Sequence, residues 1–191
     1  AFTLIELLVT VALMAVLFAL LAPAVRGLLG VTGPRGGVNT ISAALEQARL
    51  AAMESGVPCY LAWAPEATNA VSSAVIVFRD KKDGESADYI PVTRWLKLPQ
   101  GVFLEPVGSF SSTNAGSHLP RLDGQTVPSV TFIKFDRFGR LFHATGPAVL
   151  RVGAKPGADG SFLGGTNQHF EFTVQPLTGR AVVVDKAMHG A

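Results

Sequence analysis

The sequence predicts an α+β protein: a long hydrophobic N-terminal helix, then a second, amphipathic helix packed on an antiparallel β-sheet or β-sandwich body. Three observations predict it. Between Phe2 and Val25 the only charged side chain is Glu6. Apolar residues then recur at helical spacing at Ile41, Leu45, Ala48 and Ala52. From Val57 onward the chain breaks into short β-rich stretches separated by turn residues.

The first element is the most informative. An unbroken helix over residues 2–25 would extend about 36 Å, enough for a hydrocarbon core about 30 Å thick. Pro23 lacks an N–H, so it kinks that helix or weakens it one turn upstream. A secretory signal peptide does not fit, because the apolar run is too long and no basic n-region is present. A plain single-pass anchor fits the length but leaves Glu6 unexplained. An ionised carboxylate in the bilayer costs roughly 2.5–3.5 kcal/mol on insertion scales, so Glu6 is expected to have a partner.

Composition bounds the rest. The 191 residues suit one globular domain with an appendage. The positive mean hydropathy, +0.35, comes partly from the first 25 residues. Without them the chain keeps its 16 basic residues against 13 of its 14 acidic ones. That near balance argues against a strongly electrostatic nucleic-acid binder. The single cysteine, Cys59, allows no intrachain disulfide and reads as a small buried strand residue.

The run Phe2-Thr3-Leu4-Ile5-Glu6-Leu7-Leu8 resembles the start of type IV pilins and type II secretion pseudopilins, the signal cut by prepilin peptidase. The resemblance implies cleavage between Ala1 and Phe2, with Phe2 becoming the N-methylated first residue. Ala1 stands where most members have Gly, and no basic leader precedes it, so the chain is read as trimmed close to its processing point. Glu6 falls on the family's glutamate and Pro23 on its helix-bending proline. The implied partners are other pilin or pseudopilin subunits, the peptidase and an inner-membrane assembly platform. Glu6 would neutralise the N-terminal amine of a neighbouring subunit, since charge-assisted pairing is strong in low dielectric. Arg26 and Arg35 follow the membrane segment and by the positive-inside rule would place the body in the cytoplasm. The family has the opposite orientation, with the body in the periplasm, and that orientation is expected here.

Residues 1–26 are thus the membrane and filament-core segment. Residues 27–37, with five glycines and Pro34, read as a flexible joint. Residues 38–191 form the body. Asn39 or Thr40 is expected to cap the second helix, and Ser55-Gly56 to end it. Strands are expected at 57–64, 74–79, 89–98, 102–107, 130–135, 140–143, 149–152, 170–174 and 181–184, with a long loop at 108–127. Alternation in the strands implies one buried face each. The helix sequence Ala44 to Ala52, the turn Phe135-Asp136-Arg137-Phe138-Gly139 and the segment Thr178-Gly179-Arg180-Ala181 resemble the GspH/FimT type of minor pseudopilin.

No enzyme chemistry is legible, and no cofactor or metal is expected. His118, His143, His169 and His189 are scattered without zinc-motif spacing. Neither a phosphate loop nor a nucleophile elbow occurs. Asp80, Asp83, Glu85 and Asp88 read as a solvated hairpin tip, because their spacing departs from an EF-hand loop. Arg137, Arg140, Arg151, Lys155 and Arg180 make the C-terminal half locally basic. Some FimT-like pilins hold DNA through arginines near a Gly-Arg motif. Gly179-Arg180 matches its first half, whereas Ala181 and Val182 follow, so DNA contact through Arg180 is kept as the alternative function.

Overall fold

The computed structural model describes residues 4, 7–15, 33–64, 72–114, 118–142, 146–154 and 169–186. The chain divides into two compact units, Ala1–Thr32 and Gly33–Ala191. In the first, residues 7–15 are helical (α1) and every one of them is exposed. Among the described residues no helix is long and apolar enough to cross a membrane. Apart from Leu4, the remainder of the expected membrane segment lies outside the described residues, Ala1, Phe2, Glu6 and Pro23 included, as do residues 27–32 of the expected joint.

The second unit opens with a helix, α2, over Pro34–Ser55. It starts earlier than Asn39 or Thr40, so residues 34–37 of the expected joint are helical. Two local facts explain the difference. Pro34 sits at the helix start, where its missing N–H has no partner to lose. Gly37 is buried against the sheet: a Cβ there would lie 2.6 Å from Val102 Cγ1 and 3.1 Å from Val152 Cγ1. The glycine is a contact point, not a break. Thr40 caps nothing; its hydroxyl donates back to the Gly36 carbonyl at 3.0 Å. The helix ends as expected, with Gly56 at φ 71° donating its N–H to Ala52 O.

Among the described residues ten strands follow: β1 Cys59–Trp63, β2 Ala74–Asp80, β3 Tyr89–Pro91, β4 Leu96–Lys97, β5 Val102–Val107, β6 Ser111–Thr113, β7 Val130–Phe135, β8 Ala148–Ala154, β9 His169–Val174 and β10 Ala181–Asp185. They form two sheets with antiparallel pairing throughout. The first runs β3-β2-β1-β7-β6, with β4 also on β2, and the second runs β10-β9-β8-β5. Central β1 pairs Trp63 with Val75 of β2 and Cys59 with Phe135 of β7. The backbone of Ser72, just before β2, exchanges two hydrogen bonds with Leu104 of β5, at 2.9 and 2.7 Å. That exchange joins the sheets.

Four sequence expectations change. The 89–98 stretch is two short strands, because the Thr93 hydroxyl takes the Val77 amide at 3.0 Å and interrupts the ladder. The 108–127 loop contains β6 and a bridge between Leu122 and Gln125. Among the described residues of the expected return, 140–142, the pairing is one bridge, Phe135 to Leu141. The one-buried-face rule fails in the first sheet, where all five residues of β1 are buried.

The cause of that failure is a second core. On one face of the first sheet, Leu61, Trp63, Val75, Val77, Ile133 and Phe135 pack with Ile41, Leu45 and Ala48 of α2 and with Leu104, Leu150 and Phe172 of the second sheet. On the other face, Tyr60, Ile76, Phe78 and Val130 are covered by Trp95, Leu119 and Val127. Trp95 fixes this cover by donating Nε1–H to Pro120 O at 2.7 Å. Tyr60 stacks on Phe78 at 4.7 Å between centroids, a contact worth about 0.5–1.5 kcal/mol beyond burial. The second sheet keeps the alternation in β5 and β9, where Val102, Leu104, Phe172 and Val174 are buried, but not in β10, where Val182 and Val183 are both exposed. Its outer face carries a charge ladder in which Arg151 reaches Glu105 and Glu171, and Lys186 also reaches Glu171.

Candidate functional site

Three sequence segments singled out above meet at one end of the body. They are α2, the turn 136–139 that follows β7, and the turn 176–179 between β9 and β10. Asp136 builds the first turn. Its Oδ1 accepts the Phe138 and Arg140 amides, both at 2.9 Å, and its Oδ2 takes the Arg140 guanidinium at 2.9 Å. Burial pushes the Asp136 carboxyl up, but the two amides and Arg140 outweigh it and hold it below the usual carboxylate value. The second turn closes with Gly179 N–H on Gln175 O at 2.8 Å.

The turns abut. Gly179 has φ 62°, and a Cβ on it would lie 1.9 Å from Gly139 O. Leu141 N–H donates to Pro176 O at 2.9 Å across the junction. From α2, Arg49 Nε donates to Thr178 O at 2.9 Å while its Nη1 holds Glu46 at 2.9 Å. Met53, one turn further along α2, lies against Gly139. The junction therefore has hydrogen bonds within and across its turns and its two glycines in close contact.

What it presents outward is apolar and cationic. Leu177 is 81% exposed and Phe138 59% exposed, each within its turn. The guanidiniums of Arg137 and Arg140 lie 4.9 and 5.1 Å from the Phe138 ring centroid, within cation–π range. Arg180 is exposed and borders a shallow groove against α2 with Ser42, Leu45, Glu46 and Ala181. Among the described residues neither Arg137 nor Arg180 has a salt bridge, whereas Glu46 and Asp136 are taken by Arg49 and Arg140.

The basic set read from the sequence thus divides. Arg137, Arg140 and Arg180 share the junction. Arg151 stands in the ladder on the second sheet, and Lys155 lies outside the described residues. Sequence reasoning missed the parts played by Arg49, Met53, Phe138 and Leu177. The available signals were two glycines in short turns and an apolar residue in each turn.

Other candidate groups are engaged locally. Arg79 grips Glu85 through two bonds, at 2.8 and 2.7 Å, and the Lys82 amide adds a third. Arg79 first, then that amide, push the Glu85 carboxyl down to about 2. Lys81 holds Asp88 at 2.8 Å, so this acidic cluster serves the tip of the β2–β3 hairpin. His118 sits edge-on to Tyr89. His169 lies on β9, and His143 and His189 are outside the described residues. Among the described residues no group of three metal-ligating side chains occurs. Cys59 is buried in β1, and burial pushes its thiol up. A cavity of about 420 Å³ lies where the chain leaves β5 and enters β8. Its charged lining residue, Lys134, lies over the Phe142 ring and faces Asp80 at 3.9 Å.

Comparison with known proteins gives structural likenesses at low identity. The chain is similar to the type IV minor pilin FimU of Pseudomonas aeruginosa, at 13% identity over 80% of this chain and 89% of that one, with a TM-score of 0.48. It is also similar to the minor pseudopilin EpsH of the Vibrio cholerae type 2 secretion system, at 12% identity over 78% and 94% of the two chains, with a TM-score of 0.43. No protein-family model and no curated protein matches.

Proposed function

We propose that the chain is a minor pilin or pseudopilin, a non-catalytic subunit of a type IV pilus or a type II secretion pseudopilus. The observation that carries this reading is the ordered run Phe2 to Leu8 with Glu6 inside it, heading an apolar segment. A body that lays one helix across antiparallel sheets supports it. In this reading prepilin peptidase cuts between Ala1 and Phe2, and Phe2 is N-methylated. The apolar segment, bent at Pro23, anchors the subunit in the inner membrane with its body in the periplasm. An assembly platform then moves it into the filament. Glu6 pairs with the terminal amine of a neighbour, so incorporation relieves the cost of holding a lone carboxylate in lipid. Glu6→Ala is expected to insert in the membrane at least as well as the parent and to enter filaments poorly. Equal incorporation of the two in sheared-filament blots would refute the pairing.

A second reading, a DNA-capturing subunit of an uptake pilus, has one observation in its favour: Arg180 is exposed and carries no salt bridge among the described residues. It requires salt-dependent binding of duplex DNA by the full chain in detergent, lost in Arg180→Ala. No binding at low salt removes it.

A further inference from the structure

We infer that the junction of the two turns is a docking surface for another protein subunit that presents carboxylates around an apolar patch. This rests on the subunit reading above and names the chemistry of one partner.

Charge sets the first requirement. Among the described residues four arginines meet two carboxylates at the junction, and the carboxylates are already bound by Arg49 and Arg140. Two guanidiniums, Arg137 and Arg180, are left to match acidic groups from outside. Shape sets the second. Leu177 and Phe138 are apolar side chains exposed in turns, positions that ordinarily carry small or polar residues. Aromatic and arginine side chains are those most often found at the energetic centres of protein interfaces.

Rigidity sets the third. Asp136, Arg49 and the Gly139–Gly179 contact hold the turn backbones before any partner arrives, so little ordering cost remains on association. A nucleic acid fits less well. Leu177, 81% exposed, and Met53, 38% exposed, have nothing to bind on a phosphate backbone.

The test uses the full chain in cells of its source, with Leu177→p-benzoylphenylalanine as the photo-crosslinker and the same residue at Val92 as control. The expected result is a crosslink, from position 177 only, to a subunit whose crosslinked peptide contains Asp or Glu. Arg137→Glu with Arg180→Glu should cut its yield at least about tenfold, because like charges then face each other. Replacing the partner's carboxylate by Lys should restore it. Among the described residues neither arginine has an ion pair, so the thermal unfolding temperature of the purified variant in detergent should fall by no more than loss of the Arg137–Phe138 ring contact accounts for, and Arg137→Gln with Arg180→Gln gives a milder check.

A crosslink indifferent to charge reversal overturns the inference. So does a crosslink abolished by duplex DNA that the purified chain binds through the same arginines. Absence of any crosslink while the chain enters filaments overturns the docking surface and leaves the subunit reading standing. If the chain neither crosslinks nor enters filaments, both readings fall.

Discussion

Substituting Gly179 by Ala tests the junction on which the candidate site is built. Two costs combine there. A residue with a Cβ at φ 62° is strained by roughly 1–2 kcal/mol. The new methyl would also sit 1.9 Å from the Gly139 carbonyl oxygen, so the turns must part. Overpacking of that kind typically adds about 1–3 kcal/mol. Parting also stretches the Leu141–Pro176 and Arg49–Thr178 bonds, which favours the upper half of the combined range of about 2–5 kcal/mol. Gly101→Ala is the matched control. Its φ of 77° imposes similar backbone strain, but nothing lies within 4 Å of the added carbon. The assay is urea unfolding of the full chain in detergent, followed by tryptophan fluorescence, since Trp63 is fully buried and Trp95 nearly so. Gly179→Ala should lose at least about 1 kcal/mol more than Gly101→Ala. Equal losses would show that the turns do not bear on each other.

Three further expectations follow from single contacts. Gly37→Ala gains about 0.5–1 kcal/mol of helix propensity yet drives a methyl into Val102, so a net loss is expected in thermal unfolding, with recovery when Val102→Ala is added. Trp95→Phe leaves the Pro120 carbonyl without its donor and should cost roughly 1–3 kcal/mol in chemical denaturation, loosening the cover over Tyr60 and Phe78. The lowered carboxyls of Asp136 and Glu85 bind fewer protons folded than unfolded, so their contribution is complete above the unfolded values and disappears as pH falls. For Glu85 the window runs from about 4.5 down to about 2, and acid titration of Glu85→Gln, monitored by circular dichroism, should show less slope there than the parent.

The sequence announced its elements better than their neighbours. Helical spacing from Ile41 to Ala52 and alternation in Val130 to Phe135 are local signals, and both elements stand where those signals put them. The start of α2 was misread because glycines at 36 and 37 suggest a break, and only the position of Val102 and Val152 shows why one of them must lack a side chain. Alternation failed in β1 because whether a face is buried depends on what arrives to cover it. Here that is Leu119 and Val127, far along the chain in what reads as loop. The site was harder still. Its defining bond joins Arg49 to Thr178 across 129 positions, and no periodicity carries such information. Individual turn motifs were visible; their meeting was not.

The sheets are fastened to each other at both ends of the central strands. Beyond Trp63 the link is the double bond exchange between Ser72 and Leu104, and beyond Cys59 it is the contact of the two turns. Neither layer can therefore peel away while the other stays intact. Amide protons in β1 and in β8, though they belong to separate ladders, should trade with deuterium at a common pace set by opening of the entire sandwich.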